Sequence, residues 1–291
     1  MRETRVKTNQ IEIQVRDYPQ HGEAVVFLHF SGANLMMWQP VVPYFQGRYH
    51  IVLVDLRGHG KSDKPESGYH IDQMAADVLG VMRHLNLEQA HLVGSSLGAE
   101  VALSLAANFP QMVRSLVCEG ALFSEYGPYG IWPGSREEFD AHAAETLAQI
   151  RNRPVKCFPT IDAFVRNRQE ILEQYGVWNT GFEAMERYDA SVTPAGEYTR
   201  AFRKQSLEDY MVHYFETRFE CYYPRAQCPI LMLPAQDEIT SQPEKTAIEK
   251  MVQLARIGEI MAIDGWQHAY GWLLKPLEAS QAVLEFHRKY D

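Results

Sequence analysis

Apolar residues along the chain form short uninterrupted runs, and most of these runs are followed by a stretch of helical periodicity. Ahead of the first run, residues 5–18 alternate between apolar and polar side chains, which predicts an antiparallel hairpin that turns near Asn9. The runs are rich in Val, Ile and Leu, as is typical of strands covered on both faces in a parallel sheet. They are residues 24–29, 51–55, 91–94, 116–118, 229–233 and 260–263.

Two segments between these runs have the pattern of helices that pack against a sheet. In residues 71–85, apolar side chains recur every three or four positions, which predicts an amphipathic helix. Residues 97–109 are almost wholly small or apolar and end before Pro110, as a buried central helix would. The alternation of strands and helices predicts an α/β fold with a doubly wound sheet.

The alternation stops near residue 121 and resumes at residue 229. Between them, charged and aromatic-rich segments at 135–150, 161–175 and 201–219 are predicted to be helices. We therefore predict a core made of residues 1–122 and 228–291, with residues 123–227 inserted as a helical cap. The aromatic side chains of the insertion either line a pocket or hold the cap to the core. They are Tyr126, Tyr129, Trp132, Trp178, Tyr214 and Phe215.

The pentapeptide Gly94-Ser95-Ser96-Leu97-Gly98 matches the pattern G-x-S-x-G between a predicted strand and a predicted helix. A strand that turns directly into a helix forces its central residue into a strained conformation, and only small residues fit two positions away on either side. This geometry would expose the Ser96 hydroxyl at a helix N-terminus, where developing negative charge is stabilised. Ser96, at the centre of the glycine frame, is therefore the predicted nucleophile.

Charge and composition exclude several classes of partner. The net charge of −9, from 28 basic and 37 acidic residues, argues against binding to nucleic acid or to an anionic membrane surface. No apolar run approaches the ~20 residues that span a bilayer, and the first residues lack the apolar core of a secretory signal. The four cysteines have no C-x-x-C spacing, and no metal or nucleotide motif is present. We expect a cytoplasmic protein that acts on a small molecule without a cofactor.

The turn at residues 94–98, called the nucleophile elbow below, resembles the corresponding turn of the α/β-hydrolase superfamily. Two further segments resemble the same superfamily: Leu28-His29 ahead of a Ser-Gly turn, and Asp-Leu-Arg-Gly-His-Gly at 55–60. More narrowly, the chain is similar to the capped esterases, lactonases and carbon–carbon hydrolases. The resemblance implies a mostly parallel eight-stranded sheet flanked by helices, with a helical cap. It also implies that Asp55, Arg57 and His59 belong to the scaffold.

The resemblance further implies a triad in the chain order serine, acid, histidine. Asp237 follows the run at 229–233 and is the expected acid, and His268 follows the run at 260–263 and is the expected base. Each lies where the carboxyl end of a strand meets a loop. His29 and His59 are the rival histidines, and the resemblance makes both structural.

Three other carboxylates compete with Asp237 for the role of the acid. Glu119 is the most serious alternative, since it comes directly after the run at 116–118 and some relatives supply their acid from this position. Asp264 and Glu238 are weaker candidates.

Acyl transfer also requires backbone N–H groups that meet the developing oxyanion. Leu97, the residue after the nucleophile, is expected to supply one. When His29 and Trp38 are aligned with the His-Gly…Trp pattern of the family, Ser31 occupies the position of the second donor. Phe30 departs from the family because glycine is usual at this position, so the loop is expected to differ in shape.

The expected reaction is hydrolysis of a small carboxylic ester or lactone through an acyl-enzyme on Ser96. Serine at the elbow argues against haloalkane dehalogenases and epoxide hydrolases of this family, which use aspartate. A serine-dependent carbon–carbon hydrolase shares the same residues and is the alternative within enzymes. A receptor-like member of the fold that binds a ligand with incidental turnover is the alternative outside them.

Overall fold

A computed structural model of the protein describes residues 1–120 and 122–290. Within these residues the strands are β1 (Arg2–Thr8), β2 (Ile11–Tyr18), β3 (Ala24–Leu28), β4 (His50–Val54), β5 (Ala90–Ser95), β6 (Val113–Glu119), β7 (Ala190–Val192), β8 (Tyr198–Arg200), β9 (Ile230–Leu233) and β10 (Gly258–Ile260). The helices are α1 (Val42–Phe45), α2 (Ile71–His84), α3 (Leu97–Asn108), α4 (Arg136–Asn152), α5 (Ile161–Glu173), α6 (Thr180–Asp189), α7 (Lys204–Glu216), α8 (Gln236–Thr240), α9 (Gln242–Leu254), α10 (Gly271–Leu274) and α11 (Pro276–Tyr290).

Eight strands form one sheet in the order β1-β2-β4-β3-β5-β6-β9-β10. β1 and β2 are an antiparallel hairpin, β2 is antiparallel to β4, and every later pairing is parallel. The hairpin turns at Asn9 and Gln10, which both adopt positive φ. The predicted fold, a mostly parallel eight-stranded sheet flanked by helices, is confirmed.

Both faces of the sheet are covered, which explains why the central strands are apolar throughout. In β3, Val26 belongs to the buried cluster that contains residues of α2 and α3. Its neighbour Phe27 points the other way and packs against Trp38 and Phe45. Full burial of each such side chain contributes roughly 1.5–3 kcal/mol to stability. The central strands are therefore packed between two buried clusters, one on each face of the sheet.

The sequence prediction misplaced one strand and, within the insertion, missed three elements. The last strand is Gly258–Ile260 rather than residues 260–263, although the Met261 N–H still donates to Met232 O at 3.0 Å. The missed elements are α6 and the β7–β8 hairpin, all in the insertion between β6 and β9. The two hairpin strands are only three residues long and not fully buried, so they carry no alternating apolar signal.

Several hydrogen bonds connect the insertion to the core, and two of them anchor α6 and α7. Tyr188 Oη donates to Asp55 Oδ2 at 2.9 Å. Asp209 Oδ2, on α7, accepts from the backbone N–H groups of Gly68 and Tyr69 at 3.0 and 2.9 Å. The division into core and cap at residues 123–227 stays a prediction. Among the described helices, none combines the length and hydrophobicity needed to cross a bilayer.

Candidate active site

Ser96 occupies a sharp turn between β5 and α3, with φ of 49° and ψ of −119°. Such a conformation is rare for a residue with a side chain and is maintained only where the surroundings enforce it. Here the flanking glycines allow very close packing. A Cβ at Gly94 would lie 2.4 Å from Ala99 N, and one at Gly98 would lie 2.1 Å from Leu28 O. The turn therefore has the predicted elbow geometry.

Backbone hydrogen bonds fix the elbow to the neighbouring strand. The Ser96 N–H donates to Glu119 O at 2.8 Å, and Ser96 O accepts from Ala99 N at 2.8 Å. Leu97 is the first residue of α3, so its N–H has no acceptor within the helix. This N–H and the helix dipole together favour negative charge beside Ser96.

His268 lies in the segment between β10 and α10, and its side chain is 42% exposed. Its Nδ1 is 3.3 Å from Glu119 Oε1 and 3.6 Å from Glu238 Oε1. Gly120 lies between the imidazole and the elbow, since a Cβ there would be 2.7 Å from His268 Cε1 and 3.7 Å from Ser96 Cα. The predicted nucleophile and the predicted base therefore face the same glycine.

Glu119 is the last residue of β6, and its side chain is fully buried. Its Oε1 also accepts from the Ala269 N–H at 3.0 Å, and its Oε2 accepts from Ser95 Oγ at 2.5 Å. Burial opposes ionisation of this carboxyl group, but the hydrogen bonds and the charge of His268 outweigh it and lower the pKa of Glu119. Ser95, the neighbour of the predicted nucleophile, is thus a hydrogen-bond partner of the buried Glu119 carboxylate.

The same pairing shifts the pKa of His268 in the opposite direction, upward. Burial disfavours the imidazolium, yet the hydrogen bond and charge of Glu119, with smaller contributions from Glu238 and Asp237, raise the pKa of His268 to about 9. A carboxylate at Nδ1 also fixes the tautomer that leaves Nε2 available as a proton acceptor.

Asp237 does not make the contact that was expected of it. Among the described residues, the carboxylates within 4 Å of His268 are those of Glu119 and Glu238, while Asp237 is exposed in the first turn of α8. The helix starts at Gln236, and Glu238 folds back to accept from the Ala235 N–H at 2.7 Å. Among the described residues, the carboxylate nearest to His268 Nδ1 therefore comes from the end of β6, and the role of Asp237 stays a prediction.

The loop after β3 contains the second expected oxyanion donor. It turns through Gly32, at φ of 81°, and Ala33 N donates to Phe30 O at 3.0 Å. The Phe30 ring packs edge-on against Tyr270 with 6.0 Å between centroids, so the side chain is accommodated beside the loop. Ser31 is not among the described residues that line the cavity at Ser96. The oxyanion roles of Ser31 and Leu97 stay predictions.

The residues that the resemblance assigned to the scaffold are buried and hydrogen-bonded away from Ser96. Asp55 accepts from the backbone N–H groups of Leu35 and Lys61, and Arg57 pairs with Asp77 at 2.5 Å. His59 is only 1% exposed. His29 is likewise buried, and its Nε2 accepts from the Leu56 N–H at 3.0 Å.

A cavity of about 180 Å³ opens at the elbow. Core and insertion residues both line it: Ser96, Glu100, Gly120, Leu122, Phe123, Glu125, Ile131, Tyr214, Glu238 and His268. Tyr214 is the one of the six aromatic candidates that lines the described cavity. Trp132 and Phe215 pack instead around Phe139. Glu100 and Glu125 had no motif to reveal them, although Glu100 lies one helical turn after Ser96.

Comparison with known proteins gives a family match over most of the chain. The family model described as alpha/beta hydrolase fold matches residues 23–249. Over 155 residues the chain is 38% identical to 3-oxoadipate enol-lactonase 2 of Acinetobacter baylyi, covering 52% of this chain and 55% of that protein. It is 39% identical over 113 residues to 2-(acetamidomethylene)succinate hydrolase of Mesorhizobium japonicum, covering 39% and 40%. The chain thus spans about half or less of these curated relatives.

Solved structures match the fold over nearly the full length. A crystal structure of E-2-(acetamidomethylene)succinate hydrolase superposes with a TM-score of 0.78 at 24% identity, covering 98% of each chain. An enol-lactonase from Burkholderia xenovorans superposes with a TM-score of 0.70 at 17% identity, covering 98% of this chain and 100% of that one. At these identities, the likeness is one of fold.

Proposed function

The chain belongs to the α/β-hydrolase family, and we propose that it is a serine hydrolase that cleaves a small carboxylic ester or lactone. The observation that carries the proposal is the array formed by Ser96, His268 and Glu119 at one end of the sheet. Ser96 has elbow geometry, and a buried carboxylate holds Nδ1 of the histidine. The relatives named above, an enol-lactonase and a hydrolase, support the reaction class.

In this mechanism His268 takes the proton of the Ser96 hydroxyl as Oγ attacks the carbonyl carbon. Backbone N–H groups, those of Leu97 and Ser31, stabilise the tetrahedral oxyanion. The protonated histidine then donates its proton to the oxygen of the leaving alcohol. The alcohol departs, and the acyl group remains bound to Ser96 as an acyl-enzyme. Water, deprotonated by His268, attacks the acyl carbon and releases the acid with free Ser96.

Glu119 takes the role for which the sequence favoured Asp237. Its carboxylate orients the imidazole and stabilises the imidazolium that forms during attack. Burial of Glu119 supports this role, since the low local dielectric strengthens its interaction with His268. Glu238, 3.6 Å from the same nitrogen, is a second and weaker anionic partner.

The relatives support the reaction class of this chain, but their substrates are not assigned to it. Oxoadipate and succinate are carboxylate-bearing compounds, whereas no lysine or arginine is among the described residues that line the cavity of this chain. We therefore propose ester or lactone cleavage without assigning either of those substrates.

The test is steady-state hydrolysis of p-nitrophenyl esters of increasing acyl length, and of several lactones, by wild-type protein and Ser96→Ala. Removal of a triad nucleophile costs on the order of 10⁶ in turnover. Turnover by wild type alone supports the proposal. If neither protein hydrolyses any of the esters or lactones, the proposal is refuted and the carbon–carbon hydrolase or the receptor-like alternative is favoured. If both proteins are equally active, Ser96 is excluded as the nucleophile.

A further inference from the structure

Acidic groups predominate among the ionisable side chains that line the cavity at Ser96. Its described lining includes the carboxylates of Glu100, Glu125 and Glu238, and His268 is the single basic side chain among these lining residues. His268 is already held by Glu119, outside the cavity lining. The substrate would therefore meet a wall that carries several acidic groups and no lysine or arginine.

Glu100 is the most deeply placed of these groups. It lies in the first turn of α3, four residues after Ser96, and is only 4% exposed. Tyr210 Oη lies 2.8 and 3.0 Å from its two oxygens. Within residues 1–120 and 122–290, no lysine or arginine nitrogen lies within 4 Å of this carboxylate. Burial raises the pKa of Glu100 to about 7, against the smaller opposing effects of the Tyr210 hydrogen bond and the charge of His268, so this group carries a full negative charge only above that pH.

Glu125 adds a second acidic group to the same wall. Its Oε1 accepts a hydrogen bond of 2.6 Å from Tyr214 Oη, and Tyr214 itself lines the cavity. The charge of Glu125 also contributes to the raised pKa of Glu100, so the two groups interact electrostatically. The phenol groups of Tyr210 and Tyr214 donate hydrogen bonds to Glu100 and Glu125, respectively. Neither phenol supplies a positive charge.

The existence of a ligand site does not depend on these acidic residues. The cavity contains a serine in elbow geometry and a histidine paired with a buried carboxylate, and these features mark the place where a reacting group is bound. The acidic residues determine which charge is favoured there. A cation beside partly buried carboxylates gains Coulomb energy in a low dielectric, whereas an anion is repelled and loses hydration.

We propose that the substrate is an ester or lactone that carries an ammonium group at its non-reacting end, bound beside Glu100 and Glu125. This inference rests on the proposed hydrolase function and names its substrate class. It also accounts for the lack of lysine and arginine among the described residues that line the cavity, although the relatives of this chain are named for carboxylate-bearing compounds. Neutral esters are then tolerated substrates, and anionic ones are poor.

The test is competitive inhibition of the hydrolysis of a neutral p-nitrophenyl ester by n-butylammonium and by butyrate, two ions of similar size and opposite charge. It is run at a pH of about 9, where Glu100, with its pKa of about 7, is ionised. We expect the inhibition constant of n-butylammonium to be at least about tenfold lower than that of butyrate. Glu100→Gln and Glu125→Gln should each reduce this ratio at least about threefold. Glu88→Gln, which removes an exposed carboxylate with the same change of net charge, should leave the ratio unchanged.

Calorimetric titration of both ions into Ser96→Ala protein separates the two proposals, since it needs no turnover. Tighter binding of n-butylammonium there supports the charge preference even if no ester is hydrolysed. Binding of butyrate as tight as that of n-butylammonium overturns it even if esters are hydrolysed. An unchanged ratio in both glutamine variants, with thermal unfolding like that of wild type, overturns the assignment to Glu100 and Glu125.

Discussion

Glu119 Oε1 lies 3.3 Å from His268 Nδ1, although Glu119 ends β6 and His268 lies in the distant segment between β10 and α10. The carboxylate is also held by Ser95 Oγ and by the Ala269 N–H. These contacts hold the Glu119 carboxylate in place beside the imidazole of His268.

The first prediction separates the two candidate acids. Glu119→Gln should lower kcat by about 10³–10⁴, because an amide no longer stabilises the imidazolium. Asp237→Asn, at an exposed position outside 4 Å of His268, should change kcat less than about threefold. Steady-state kinetics on one ester measures both. A larger loss in Asp237→Asn than in Glu119→Gln would restore Asp237 as the acid.

The second prediction concerns pH. Since the pKa of His268 is raised to about 9, its imidazole is protonated and inactive as a base below that pH. The value of kcat/KM should therefore rise with pH and level off only above about 9. Glu119→Gln removes the main stabilising charge, so the residual activity should level off at least about one pH unit lower. A wild-type profile that is already flat from pH 7 upward would contradict the raised pKa of His268.

The third prediction tests the packing between the base and the elbow. Gly120 has φ of +96° and faces His268, whereas Gly127 has φ of +108° and a Cβ there would meet no heavy atom within 4 Å. Alanine at either position carries backbone strain of roughly 1–3 kcal/mol. Gly120→Ala should in addition displace the imidazole and lower kcat/KM by about 10²-fold. The comparison requires kinetics and thermal unfolding of both variants, and equal kcat/KM in the two would show that Gly120 does not position His268.

The fold was predictable because its core follows a strong hydrophobic pattern. The strands β3 to β6 and β9 each contain a continuous apolar run, and most positions of α3 are small or apolar, as is typical of a buried helix. The insertion was harder to predict. α6 has a mixed surface, and β7 and β8 are too short and too exposed to produce a periodic signal.

The site was predictable where local sequence dictates local geometry. Gly94 and Gly98 exclude a Cβ on either side of Ser96, so the pentapeptide alone identifies the elbow. The sequence favoured Asp237 over Glu119 as the partner of His268, because the order of residues along a chain does not give the direction of a side chain. The signal that favours Glu119 is strand pairing, since it is the register partner of Ser95 across β5 and β6 and hence lies beside the elbow.

The most direct test of the assigned nucleophile is covalent labelling with a fluorophosphonate, which phosphonylates a serine whose proton is taken by a neighbouring base. We predict one label per chain on Ser96, with peptide fragmentation distinguishing it from Ser95. The label should be absent in Ser96→Ala and should form far more slowly in His268→Ala. Labelling of Ser95, or equal labelling of wild type and Ser96→Ala, would contradict the assignment of Ser96 as the nucleophile.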